Sequence, residues 1–188
     1  MQKDLKALSE LYSRIIVESN GRKVIRGRVV LTGLYLNELP KWLADVEVTG
    51  NFNCGDNLLT SLKNAPKKVG GDFYCPNNTL TSLQGAPESV KGGFYCHENR
   101  LTSLQDTPKK VGGDFLCSNN NLTTLQGAPT VVNGDFFCFS NYLPSLQGAP
   151  KKVGGSFVCR DNPGKFTVED VKAVCEVGGY IKVYDMFR

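Results

Sequence analysis

With 188 residues and an ordinary 40% of hydrophobic positions, the chain fits one domain. Its net charge of +4 sits in the first 28 residues, where Lys3, Lys6, Arg14, Arg22, Lys23, Arg26 and Arg28 outnumber Asp4, Glu10 and Glu18; the other 160 residues balance 15 basic with 15 acidic groups, which argues against a broad nucleic-acid-binding surface there. No apolar run approaches the roughly 18 residues needed to span a bilayer and the N-terminus lacks the apolar core of a signal peptide, so a soluble, cytoplasmic protein without a membrane partner is expected.

Residues 2 to 19 place Leu5, Leu8, Tyr12 and Ile15 at helical spacing with Gly21 as a stop, which predicts an amphipathic helix. A degenerate repeat unit follows in Ile25-x-Gly27-x-Val29-x-Leu31, with Leu36, Leu39, Pro40 and the single tryptophan, Trp42, in a longer return arc. From Val48 a 21-residue motif then recurs, with copies beginning at Val48, Val69, Val90, Val111, Val132 and Val153. Each copy reads Val-x-Gly-x-Phe-x-Cys-x-x-Asn-x-Leu-x-x-Leu-x-x-x-Pro-x-x, with few departures. Such a period means a solenoid, because one unit cannot bury its own apolar face and the copies must stack.

Within a copy, Val-x-Gly-x-Phe-x-Cys alternates with period two and predicts one strand, with Val48, Gly50, Phe52 and Cys54 inward and Thr49, Asn51 and Asn53 outward. A strand returning every repeat pairs in parallel with its predecessor, about 4.8 Å away. The Asn column (Asn57, Asn78, Asn99, Asn120, Asn141, Asn162) falls where the chain leaves the sheet, where its amide can satisfy freed backbone groups. The two Leu columns fill the core on the return arc, and the prolines from Pro66 to Pro150 favour an extended path there. The Gly pairs at 70 to 71, 112 to 113 and 154 to 155 are expected to make room for neighbouring Phe rings.

At the C-terminal end Val177-x-Gly179-x-Ile181-x-Val183 restores the strand pattern. Before it, Thr167 as N-cap with Glu169 and Asp170 in the first turn predicts a short helix. The expected organisation is a capping helix over residues 1–22, a solenoid over 23–163, and a cap of helix plus last strand over 164–188, with eight rungs spanning about 34 Å of sheet.

Phe-x-Cys-x-x-Asn-x-Leu resembles the Leu-x-Leu-x-x-Asn-x-Leu core of leucine-rich repeats, with Phe and Cys in the two strand leucine places. Leu-Gln-Gly-Ala-Pro-Lys-Lys-Val at 146 to 153 is similar to the return arc of the short repeats in bacterial type III effectors. Gly-Gly-Asp-Phe-Tyr-Cys and Leu-Gln-Gly-Ala-Pro also resemble the wording of repeat proteins encoded by tailed bacteriophages. The resemblance covers residues 25 to 183 and implies a leucine-rich-repeat-like solenoid, mainly β, with parallel strands and extended return arcs. The phage likeness implies a host-directed protein acting in the host cytoplasm.

Function is expected on the outward strand positions, where Tyr74, Tyr95, Leu116, Phe137 and Val158 are neighbours along one column and Phe139 and Tyr142 widen the patch. β-Propensity alone also favours such residues in strands. Beside them Asp72, Asp114 and Asp135 suggest a partner with an apolar knob edged by Lys or Arg. The expected activity is non-catalytic binding of a protein, with inhibition of a host protein as the specific form. Two rival readings are a nucleic-acid or nucleotide binder using Lys67, Lys68, Lys109, Lys110, Lys151 and Lys152 together with the basic N-terminus, and a virion or assembly component held by the apolar strip or the segment from Tyr184 to Arg188.

Enzymatic readings find little purchase. Six of the seven cysteines (Cys54, Cys75, Cys96, Cys117, Cys138, Cys159) share one inward column and read as buried reduced thiols. Effector relatives that are ubiquitin ligases carry a Cys-x-Asp motif in a separate catalytic domain. Cys54-Gly-Asp56 and Cys159-Arg-Asp161 match that string, but their cysteines belong to the buried column and no further domain is expected. The single histidine, His97, reads as a surface or interface residue, and no cofactor, metal or catalytic residue is expected.

Overall fold

The computed structural model describes residues 2–184, with side chains from residue 6 onward; the side chain of Leu5 and the segment 185–188 lie outside the described residues. The chain winds through eight rungs, each contributing a strand to two parallel sheets. One sheet of eight strands runs from Val29–Val30 through Phe52–Asn53, Phe73–Tyr74, Phe94–Tyr95, Phe115–Leu116, Phe136–Phe137 and Phe157–Val158 to Ile181–Lys182. The other, of nine, runs from Ile16–Val17 and Lys23–Ile25 through Val46–Val48 and its equivalents to Glu176–Val177.

The single strand expected in each rung is therefore two short ones, interrupted at the glycines. There the backbones of adjacent rungs lie too close for a side chain: a Cβ on Gly70 would stand 2.2 Å from the Thr49 carbonyl oxygen, and one on Gly71 2.0 Å from Asn51 Oδ1. The same holds at Gly112 and Gly154, 1.8 and 2.2 Å from the carbonyls of Lys91 and Asn133. The glycines thus make room for the preceding rung's backbone and Asx side chains, and not for Phe rings. Between the two sheets their own N–H groups link successive rungs, Gly71 donating to Gly50, Gly92 to Gly71 and Gly113 to Gly92 at 3.0–3.1 Å.

Inside, Phe52, Phe73, Phe94, Phe115, Phe136 and Phe157 form a stack with centroids 5.0–5.7 Å apart, and every one is fully buried. Burying a Phe side chain contributes about 2–3 kcal/mol. The Leu columns and Cys column close the remainder of the core.

Each Asn column amide is a junction. Asn120 accepts from the Leu101 N–H (3.0 Å) and donates to the carbonyls of Cys117, Ser118 and, one rung back, Cys96 (3.0–3.2 Å). Just before it the chain turns through the left-handed region: Asp56, Asn77, Glu98, Asn119, Ser140 and Asp161 all have φ of 51–55°. Asp and Asn tolerate that region better than other side chains.

The helix α1 spans Gln2–Tyr12, shorter than the 2 to 19 expected. Leu11 is buried and Tyr12 meets Trp42 edge-on at 5.4 Å. Beyond it the β-branched Ile16–Val17 pairs antiparallel with Lys23–Val24, through a hairpin in which Gly21 takes φ of 80°. An open strand edge and a β-branched pair outweigh helix continuation there. Arg14 also covers that end, donating to the carbonyls of Arg26 and Arg28 (3.1 and 2.9 Å). At the other end α2 (Val168–Val174) begins with the expected Thr167 cap, reciprocated by Asp170 as a capping box. No helix among the described residues is long and apolar enough to cross a membrane.

Replacing Asn120 by Ala leaves one buried N–H and three carbonyls short of a partner, and is expected to lower stability by about 3 kcal/mol. Asn121→Ala, at the adjacent exposed position, is expected to stay within about 0.5 kcal/mol. Urea unfolding of the two variants beside the wild type measures the difference, and equal midpoints would contradict a junction role.

Candidate interaction face

Parallel in-register pairing turns each sequence column into a line of touching side chains. Along the outer face of the eight-stranded sheet the line is Val30, Asn53, Tyr74, Tyr95, Leu116, Phe137, Val158 and Lys182. Val30 is exposed, and the members from Asn53 to Phe137 are half-buried. Val158 departs from the expectation: at 4% exposure it is closed over, a short side chain flanked in register by the longer Phe137 and Lys182. It offers no surface to a partner.

Tyr74 and Tyr95 stack with centroids 4.5 Å apart and ring planes nearly parallel. Their hydroxyls are anchored on the acidic column, Tyr74 donating to Asp72 Oδ2 (3.0 Å) and Tyr95 to Asp114 Oδ2 (3.4 Å). Burial, and then the neighbouring carboxylates, hold both phenols above their ordinary pKa, so they remain donors at neutral pH. Tyr95 can lie flat because position 93 is Gly, where a Cβ would come within 2.6 Å of the ring. Phe139 joins the patch, 6.2 Å from Phe137, and Arg160 sets its guanidinium 4.5 Å over the Phe139 ring. Tyr142 is 60% exposed but stands beyond the Asn ladder, without ring contact to Phe137 or Phe139.

The acidic column has a structural role that the sequence reading missed. Asp72, Asp114 and Asp135 each accept, through Oδ1, the next rung's backbone N–H, from Gly93 (2.8 Å), Asp135 (2.9 Å) and Ser156 (2.7 Å). Asp72 is further occupied by Asn51 and Tyr74. Asp135 Oδ2 accepts nothing among the described residues. The recurrence of Asn or Asp in that column was the signal available.

His97 is half-buried in the next outward column, its Nδ1 enclosed without a hydrogen-bond partner, and burial lowers its pKa. The lysine ladder is partly neutralised: Lys68 pairs with Glu47, itself held by Arg22, and Lys152 pairs with Glu176. A recess of about 620 Å³ lies apart from the strand face, between α2 and the return arc at Leu146. Its lining brings no group of His, Cys, Asp and Glu together, and no such group of three or more that could hold a metal occurs among the described residues.

A domain described as a Shigella effector LRR domain shares this fold, with a TM-score of 0.51 and 19% identity over 95% of this chain and 88% of that chain. No family model matches the sequence, and no curated protein matches it. The fold defines the class: this is a leucine-rich-repeat-like parallel β-solenoid of eight turns with a short helix at each end.

All seven cysteines are unpaired and buried, and desolvation raises each pKa, to about 12 for Cys159 and about 11 for Cys175. A raised pKa keeps the unreactive thiol form until pH nears those values. The native protein is therefore expected to resist a thiol-specific aromatic disulfide reagent at pH 8 and to release seven reactive thiols in denaturant, with Cys175 the first to respond as pH rises. Fast modification of any cysteine from Cys54 to Cys138 in the native state would contradict the buried column.

Proposed function

We propose that the chain is a non-catalytic protein-binding module whose contact surface is the outer strand face from Tyr74 to Phe139, with Asp114 and Asp135 beside it. The observation that carries this reading is the pre-ordered aromatic line: two stacked tyrosines hydrogen-bonded to aspartates, continuous in register with Leu116 and Phe137. Such a surface loses little side-chain freedom on binding, and rigid aromatic anchors supply much of the affinity of protein interfaces. Leucine-rich-repeat-like folds present their strand face as an extended surface, which fits an interaction role.

The resemblance of the Gly-Gly-Asp-Phe-Tyr-Cys and Leu-Gln-Gly-Ala-Pro wording to tailed-phage repeat proteins supports reading the partner as a host-cell protein. In this reading the protein is a phage-encoded binder that inhibits a host protein in the host cytoplasm. The cysteine column supports a non-catalytic role, since its thiols are buried and lack an activating base. The pairing of Lys68 and Lys152 with glutamates disfavours the lysine ladder as a phosphate track.

Tyr95→Ala combined with Phe137→Ala is expected to keep the solenoid's circular dichroism and abolish capture of a specific host protein, at a cost of about 2–4 kcal/mol in binding. Lys67→Ala with Lys109→Ala and Lys151→Ala is expected to leave capture intact. Survival of capture in the aromatic variant, or its loss only in the lysine variant, would overturn the proposal.

A further inference from the structure

The outer line of side chains is not uniform, and its break has a defined shape. Tyr95 is covered on one side by Tyr74, at 4.5 Å, and its other side looks toward Leu116. The next ring in the line is Phe137, on the far side of Leu116. Two strand steps separate the backbones at these two positions by about 9.6 Å, with a half-buried leucine between them. A planar group standing on Leu116 would lie between these two aromatic side chains.

The charge beside this notch is uneven in the same way. Asp72, at the tyrosine end, has both oxygens occupied, by Gly93 N–H on Oδ1 and by Tyr74 and Asn51 on Oδ2. Asp114 has one oxygen tied to the Asp135 N–H and the other reached only by the long 3.4 Å bond from Tyr95. Asp135 keeps Oδ2 without a partner among the described residues. Unsatisfied carboxylate capacity therefore lies beside Leu116 and Phe137. The chain also shows what this strip accepts, for one rung further on its own Arg160 lays a guanidinium over the Phe139 ring while pairing with Asp161.

We propose that the notch over Leu116, between Tyr95 and Phe137, receives an arginine side chain of the protein partner, stacked between the two rings and paired with Asp114 and Asp135. This rests on the reading of the strand face as a protein-binding surface and names the chemistry of its central contact. A guanidinium suits the site better than an ammonium: it is flat, stacks on aromatic faces, and offers several N–H donors to carboxylates. A bare apolar anchor would leave the two carboxylates without a cation at the interface.

The test uses blocked arginine, N-acetyl-arginine amide, titrated into the isotope-labelled full chain and followed by amide resonances, beside the lysine, leucine and glutamate analogues. Arginine is expected to give saturable shifts at Tyr95, Asp114, Leu116 and Phe137, with affinity several-fold above lysine and no response to glutamate. Asp114→Asn with Asp135→Asn keeps the Oδ1 atoms that accept the next rung's N–H while removing both charges and, at 114, the acceptor of the long Tyr95 bond; it is expected to lose the saturable response. Leu116→Phe, which fills the notch with an apolar ring, is expected to lose it as well.

Arginine shifts that persist in either variant, equal responses to arginine and lysine, or no saturable response at these amides would overturn the proposal. None of these outcomes decides the broader reading of the face. That reading falls only if host-protein capture survives Tyr95→Ala with Phe137→Ala, so the two failures are separable.

Discussion

The buried asparagine ladder is the constraint on which the rest of this molecule depends. Where each rung leaves the eight-stranded sheet, backbone N–H and C=O groups are stripped of strand partners inside the core, and each unsatisfied group costs on the order of 1–3 kcal/mol. One amide settles the account at every rung, joining its own turn to the rung behind, as Asn78 does with Leu59 N–H and the Cys54 carbonyl. The same geometry recurs at Asn99, Asn120, Asn141 and Asn162. Because the amide spans two rungs, it sets their register as well as their turn.

Fixed register gives every column its meaning. The phenylalanines stack on one another, the cysteines fall in line behind them, and the glycines bring backbones together at the junction of the two sheets. The cost of that regularity is chemical silence inside: thiols that could act as nucleophiles elsewhere are desolvated here. On the outside, regularity does the opposite. Every departure from the repeat becomes a local feature with a fixed neighbour on each side, so Gly93 lets Tyr95 lie flat, and Leu116 opens a gap between rings.

Much of the fold was legible because stacking makes the inner columns redundant. Val, Phe, Cys, Asn and Leu repeat at one period, and the degenerate units at Ile25 and Val177 could be matched to it as first and last rungs. The candidate face was legible only as a list of outward positions. Its aspartates read as free charge, whereas each gives one oxygen to the next rung's backbone. Val158 read as exposed, and it is buried between the longer Phe137 and Lys182 of the adjacent strands. Those facts depend on which side chains flank a position across strands, information that sits a full repeat away in either direction.

By itself the sequence determined the solenoid, its parallel pairing, its number of rungs and the inward columns, because period and alternation dictate which faces must be buried. Tertiary structure alone decided that each rung carries two strands, since the close approach of glycine backbones interrupts the ladder that the alternation implies. It also decided where α1 ends, through the open edge that Ile16–Val17 completes. Lastly it decided which parts of the outer line remain open, because exposure of a strand residue is set by the size of its cross-strand neighbours and by the hydrogen bonds that hold them, not by its own identity.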